Sequence, residues 1–287
     1  MEPRLQSDLD WCETLIKKNS SSFYRAFRKL PKERAQGIFA IYAFCRIADD
    51  AIDVDNNPKV VLDMAEKLEA FARGKTPDEP LWRSLRWAFN SFPLEILPFR
   101  DMLKGQFQDS EFQQPADFKE LLDYCYLVAG TVGLMLSPIL ASPVTDAVKK
   151  ESIELGIAMQ LTNILRDIGT DYRIKRIYLP RNLMEDFGVT PESLAEPEPS
   201  PQLISLWEKI AGESETRYNR IRNGLEAFDK EARLPILLSL LYYSRILERC
   251  RRANYHFLDR RIFVPRQQKI MLFGLARWQI LQRSLHR

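Results

Sequence analysis

The run FAIYAFCRIADDAID, Phe39 to Asp53, leads apolar and aromatic residues into acidic ones. On a helix, steps of three and four return to one side, so Tyr42, Arg46, Asp49 and Asp53 share a face. Asp50 stands about 100° away from Asp49. Two carboxylates one turn apart, about 6 Å of rise, can bridge hard metal ions that also hold a substrate's phosphates. A second run, MQLTNILRDIGTD from Met159 to Asp171, repeats the pattern. Asn163, Asp167 and Asp171 drift only about 80° over two turns, with Gln160 on the same side. Arg166, beside Asp167, offers a planar guanidinium suited to phosphate. Gly169 lowers helix stability by up to about 1 kcal/mol, and a loosened helix end beside a mobile lid is expected there. Taken singly, each stripe also fits a solvated acidic face. Taken together, two acidic stripes that continue apolar helices are better explained as facing one another across a cavity, clamping a metal–diphosphate. Left inward and unpaired, such charges would be costly.

The remaining composition narrows the chemistry. Histidine occurs only at His256 and His286, so a histidine-ligated zinc site or a serine–histidine relay is very hard to build. Any metal chemistry must use carboxylates, which favour magnesium. The 42 basic and 39 acidic residues nearly balance, which argues against a nucleic-acid binder. Cys12, Cys45, Cys125 and Cys250 are scattered through apolar patterns and read as small core residues rather than a disulfide framework. No G-x-G-x-x-G occurs among the eleven glycines. The N-terminus is too polar for a secretory signal. The stretches Gly133–Ala141 and Leu234–Tyr243 fall short of a membrane span, so a soluble protein is expected.

Helices must position the stripes, because apolar residues recur at helical spacing almost everywhere and no alternating run persists. They are expected over Asp8–Lys18, Pro31–Asp53, Pro58–Arg73, Pro80–Ser91, Pro98–Phe107, Asp117–Leu136, Ala147–Thr170, Pro201–Asn223, Leu234–Arg261 and Arg266–Ser284. Several open with proline in the first turn, where its missing N–H costs nothing. The proline-rich stretch Thr190–Pro201 reads as an inter-helix loop, since composition does not change across it. The expected architecture is all-α, one domain over residues 1–287.

DDAID together with NILRDIGTD resembles the two aspartate-rich motifs of the squalene/phytoene synthase family. Further stretches match in order: KKNSSSFYRAFRKLP at Lys17–Pro31, YCYLVAGTVG at Tyr124–Gly133, RIYLP at Arg176–Pro180 and RRANYHFLDRRIFVP at Arg251–Pro265. The likeness runs from about Asp8 to Phe273 and is strongest to the short bacterial dehydrosqualene (4,4'-diapophytoene) synthase branch. It implies an isoprenoid-synthase-type helical bundle around a central active-site cavity. By the same resemblance, Asp49, Asp53, Asn163, Asp167 and Asp171 hold magnesium and diphosphate, with two or three ions. Ser20, Ser22, Phe23, Phe27, Tyr42, Arg46, Gln160, Arg166, Tyr178, Tyr255 and Arg266 line diphosphate- or prenyl-binding surfaces. Tyr124 matches the tyrosine associated with the first half-reaction. Ala129, Gly130 and Gly133 serve close helix packing, room for a prenyl chain, or both.

The resemblance further implies a magnesium-dependent prenyltransferase of carotenoid biosynthesis. It would join two farnesyl diphosphates through presqualene diphosphate to dehydrosqualene, without NADPH. Geranylgeranyl diphosphate as substrate, or an NADPH-dependent squalene ending, are the rival outcomes. A helical adaptor without catalysis is the non-enzyme rival, and it leaves two inward acidic stripes unexplained. A cytoplasmic location is implied, with peripheral contact at the inner membrane surface for product release and a downstream desaturase as partner.

Overall fold

Residues 3–285 are described by a computed structural model in which, among those residues, every regular element is helical. The helices are α1 (Pro3–Asn19), α2 (Ser21–Phe27), α3 (Lys32–Asp53), α4 (Pro58–Ala72), α5 (Pro80–Ser91), α6 (Leu97–Ser110) and α7 (Phe118–Cys125). They continue with α8 (Thr131–Leu140), α9 (Asp146–Arg173), α10 (Arg181–Phe187), α11 (Pro201–Asn223), α12 (Lys230–Arg252) and α13 (Arg266–Leu285). Local signals set the boundaries. Proline occupies the first turn of α4, α5, α6 and α11. Asp117 caps α7 by accepting from the Glu120 N–H at 2.9 Å, while Glu120 reaches back to the Ala116 N–H at 2.7 Å. Thr145 and Ser200 cap α9 and α11 in the same sense.

α3 and α9, which carry the two acidic stripes, form the interior of the bundle. α3 packs on α1, α5 and α8, and α9 packs on α8, α11 and α12. α11 is pinned to α9 by buried polar contacts: Trp207 Nε1 donates to the Leu165 carbonyl at 3.0 Å, and the Tyr218 hydroxyl donates to the Ala158 carbonyl at 2.9 Å. Each satisfies a group whose desolvation would otherwise be costly. One continuous apolar core runs from Cys12 to Ala276.

Several boundaries differ from the sequence expectation. Ser21–Phe27 and Arg181–Phe187 are helices that periodicity did not predict, because two turns are too short to show a repeat. The helix expected over Asp117–Leu136 is broken at Tyr126–Gly130 by a π-helical turn, and α8 then runs on to Leu140. The last turn of α12 ends at Arg252 rather than Arg261, because Asn254 and Tyr255 adopt positive φ (49° and 59°). α9 does not loosen at Gly169 but continues to Arg173. A Cβ at Gly169 would stand 2.1 Å from the Leu258 carbonyl oxygen, so this glycine allows the chain after α12 to press against α9.

Phe118–Leu140 also departs from the expectation that every apolar stretch is too short for a membrane, being long and apolar enough by length and composition. Its Leu121, Cys125, Thr131 and Met135 are buried in the core. Tyr124, Val128, Ala129, Val132 and Gly133 line an internal cavity. The apolarity of this segment therefore serves the interior of the bundle.

Candidate active site

A cavity of about 800 Å³ opens between α2, α3, α8, α9 and α12. Its walls follow the two stripe helices inward. On α3 the lining passes from Asp53 and Asp49 through Arg46, Cys45 and Tyr42 to Ile41 and Ile38. On α9 it passes from Asp171 and Asp167 through Asn163 and Gln160 to Met159, Leu155 and Ser152. The mouth is therefore charged and the interior apolar. Along α3 from Arg46 to Ile38, and along α9 from Gln160 to Ser152, the lining spans about 12 Å at helical rise, and from Val128 to Leu140 about 18 Å. Leu140 and Phe228 also line it, joined where the Asp229 N–H donates to the Leu140 carbonyl at 3.1 Å.

The mouth gathers more charge than the stripes alone supply. Arg46 forks onto Asp50, with Nε at 2.8 Å, and its Nη1 lies 3.5 Å from Asp49. Arg166 forks onto Asp167 at 2.8 and 2.5 Å, and Arg261 reaches the same carboxylate at 3.1 Å. Arg176 spans to Asp53 at 2.8 Å and to Asp109 at 3.3 Å. Asp109 in turn accepts from the Tyr178 hydroxyl at 2.9 Å and the Tyr124 hydroxyl at 3.2 Å, and the two rings stack at 5.1 Å. Burial above all, then the neighbouring Asp109, holds the Tyr124 hydroxyl well above its ordinary range and keeps it protonated.

Two carboxylates stay poorly compensated. Asp49 is pushed up to about 6, first by burial and then by Asp53. Asp171 is pushed up to about 7 by burial, then by Asp167 on its own helix and Asp53 across the cavity. Asp49 is walled in by protein yet 42% open to water, because it borders the cavity. Like charges held in a partly dry mouth disfavour each other's ionisation, and a hard cation between the rows removes that cost. Among the described residues no three such side chains close on one point. Two facing rows instead fit magnesium, which takes one or two protein carboxylates and completes its shell with water and substrate phosphate.

The structure brings together at this cavity Ser20, Ser22, Phe23, Phe27, Tyr42, Arg46, Asp49, Asp53, Tyr124, Gln160, Asn163, Arg166, Asp167, Asp171 and Tyr178. It leaves Tyr255 and Arg266 off the lining. The Tyr255 hydroxyl donates to Glu208 at 2.6 Å and its ring meets Trp207 edge-on, because the positive-φ turn after α12 carries it to the α11 side. Arg266 opens α13 and is exposed. Of the small residues, Ala129 and Gly133 line the cavity and Gly130 does not. A Cβ at Gly133 would lie 2.0 Å from the Ser152 carbonyl oxygen, so close packing on α9 and the open cavity both depend on it. Asp109, Arg176 and Arg261 were missed by the sequence reasoning. Arg176 opens RIYLP and Arg261 lies within RRANYHFLDRRIFVP, so a signal existed for both. Asp109 is a lone acid near the end of α6 and offered none.

The squalene/phytoene synthase family profile matches residues 16–268. A 4,4'-diapophytoene synthase of Staphylococcus haemolyticus is 34% identical over 261 residues, covering 89% of this chain and 92% of that protein. A phytoene synthase of Arthrospira platensis is 33% identical over 291 residues, covering 96% and 94%. The crystal structure of a dehydrosqualene synthase in complex with a ligand superposes with a TM-score of 0.94 at 41% identity, over 97% of this chain and 98% of that one.

Proposed function

We propose, from the premise that this chain belongs to the squalene/phytoene synthase family of prenyltransferases, that it condenses two farnesyl diphosphates head to head. The product on this reading is dehydrosqualene, reached through presqualene diphosphate with release of two diphosphates. One observation carries it: a single cavity with facing carboxylate rows at its mouth and an apolar interior behind them. Identity and fold likeness to a dehydrosqualene synthase support the choice within the family.

Asp49, Asp53, Asn163, Asp167 and Asp171 would hold two or three magnesium ions. Bound there, magnesium would neutralise diphosphate and make it a better leaving group. Arg46, Arg166, Arg176 and Arg261 stand where they can exchange a carboxylate partner for phosphate oxygens, a bidentate fit that lysine lacks. C1 of one substrate loses its diphosphate, and the double bond of the second attacks that carbon. Loss of a proton then closes a cyclopropane. A second ionisation, rearrangement and proton loss give the linear hydrocarbon, with no hydride donor and hence no NADPH. Phe23 and Tyr42, stacked on one another in the cavity lining, would supply aromatic stabilisation to these cations. The apolar walls exclude water that would quench them. Tyr124, held protonated on Asp109 and stacked on Tyr178, orients the end of the substrate that ionises first. Tyr255 and Arg266, remote from the lining, take no part in this scheme. One catalytic domain spans the chain, in the cytoplasm, with a desaturase as the next consumer of product.

Phytoene synthesis from geranylgeranyl diphosphate is the second reading, favoured by curated phytoene synthases that are as similar to this chain as the diapophytoene synthase is. Incubation with each diphosphate, with and without NADPH, followed by chromatography of the extracted hydrocarbons, distinguishes them. Dehydrosqualene from farnesyl diphosphate, unaffected by NADPH, is the expected result. Phytoene as the main product from mixed substrates overturns the assignment.

A further inference from the structure

The end of the chain differs in charge from everything before it. From Arg260 to Arg287 the sequence holds seven arginine and lysine residues and no acidic one, while the preceding residues hold 35 basic and 39 acidic. α13 carries most of that segment. Leu272 and Ala276 are buried on the side that packs against α12. The opposite side would ordinarily be polar, yet Ile270, Met271, Trp278 and Leu281 are each more than half exposed there. At 100° per residue these four fall, with Gly274, within an arc of about 100°. Exposed Arg266 and Arg277 border the arc. Lys29, beyond the end of α2, stands 5.7 Å over the Phe273 ring and extends the cationic border. Phe263, just before α13, is the most exposed large apolar side chain among the described residues, at 69%, and it also lines the cavity. The apolar band thus begins at the cavity mouth.

We propose that the outer face of α13 docks on an anionic lipid bilayer and holds the cavity mouth against the membrane. An exposed apolar stripe with tryptophan and a cationic border is the composition that lies in a headgroup layer. The acid-free segment adds attraction to anionic lipid. A second copy of the chain fits this face poorly, because a two-fold contact would set each cationic border against its own copy. The surface deepens the proposed reaction, whose hydrocarbon product cannot cross water. It stands whichever prenyl chain the enzyme uses.

Sedimentation of the full chain with vesicles tests it, comparing phosphatidylcholine alone with phosphatidylcholine containing one-third phosphatidylglycerol. Binding should be several-fold stronger to the anionic vesicles and weaken as salt rises. Ile270→Ser combined with Trp278→Ser should lower partitioning by about tenfold or more, and Arg277→Gln by about fivefold at low salt. The double variant should retain wild-type turnover in detergent micelles, which separates lost docking from lost folding. Equal binding to neutral and anionic vesicles, or none to either, overturns the proposal. So does a solution dimer that Trp278→Ser splits. Failure to make hydrocarbon from any prenyl diphosphate would sink the proposed reaction while leaving vesicle binding intact, so the two can fail separately.

Discussion

The mouth and the interior of the one cavity are built on opposite principles. At the mouth, Asp49, Asp53, Asp109, Asp167 and Asp171 meet Arg46, Arg166, Arg176 and Arg261, yet the pairing is uneven. Asp53 and Asp167 are held by arginines from elsewhere in the chain, whereas Asp171 makes no ion pair among the described residues. Inside, Ile38, Ile41, Leu155 and Val132 present apolar side chains. On the proposed reaction the contrast divides the labour: the mouth would determine whether ionisation occurs, and the interior which chain fits. Variants that mix these two outcomes would break the division.

The largest effects belong at the mouth. Removing divalent metal with excess EDTA should abolish turnover, with recovery on adding magnesium or manganese. Asp49→Ala or Asp167→Ala should each lower kcat at least a thousandfold, about 4 kcal/mol of barrier, with unchanged far-UV circular dichroism. If either variant stays near wild-type activity, the facing-row clamp is wrong. A smaller loss is expected for Arg261→Gln. Its side chain is 64% exposed and is one of two arginines on Asp167, so kcat/KM should fall about tenfold, about 1.4 kcal/mol. A shift in preferred substrate length instead would move Arg261 from the mouth's function to the interior's.

Smaller again is the effect on the metal-free protein's stability. Asp171 is raised to about 7 in the fold, so its protonated form is the better tolerated one. Stability from this group is therefore full below about pH 4 and lost as pH rises through 7. Asp171→Asn should remove that slope. Without metal, the variant should melt about 2 °C above wild type at pH 8, for about 1 kcal/mol after allowing for solvent in the cavity, and level with it at pH 4. Saturating magnesium and a diphosphate analogue should reverse the order. An unchanged melting temperature at pH 8 would mean that the mouth tolerates its unpaired charge.

Much of the mouth could be read from the chain because both stripes lie on long helices, where a spacing of four places residues on one side whatever the tertiary structure. Asp49, Asp53, Asn163, Asp167 and Asp171 all reach the cavity for that reason. Asp109 could not be found this way, since it joins the mouth only through packing of α6 beside α8 and its contacts with Tyr124, Arg176 and Tyr178. Tyr255 illustrates the reverse failure. The family resemblance places it at the substrate surface, and periodicity places it within a helix continuing to Arg261. Two consecutive positive-φ residues, which no periodicity announces, turn it towards Glu208. The glycines were half legible: Gly133 as a packing or cavity residue, but Gly169 as a loosened end rather than the contact point for Leu258.

The smallest expected effect on the chemistry concerns the interior, where a minor change in product is set against a cost in stability. Phe27 is 3% exposed, lines the cavity and lies 4.3 Å from the Phe23 ring, which stacks on Tyr42 at 6.0 Å. Truncating it extends a space that already exists rather than opening an isolated void. The stability cost should therefore fall near the lower end of the range for Phe→Ala, about 3 kcal/mol. The added depth admits a longer chain without adding attraction at the mouth. Phe27→Ala should then yield a minor share of phytoene from geranylgeranyl diphosphate, with metal dependence unchanged and turnover of farnesyl diphosphate within about tenfold of wild type. Product chromatography from an equal mixture of the two diphosphates reads the share directly. If no twenty-carbon substrate is used, the limit on length lies elsewhere, and Leu140 and Phe228, which line the cavity far along the chain from the carboxylate rows, are the next positions to truncate. If farnesyl diphosphate turnover collapses as it does for Asp49→Ala, Phe27 belongs functionally with the mouth and the division fails.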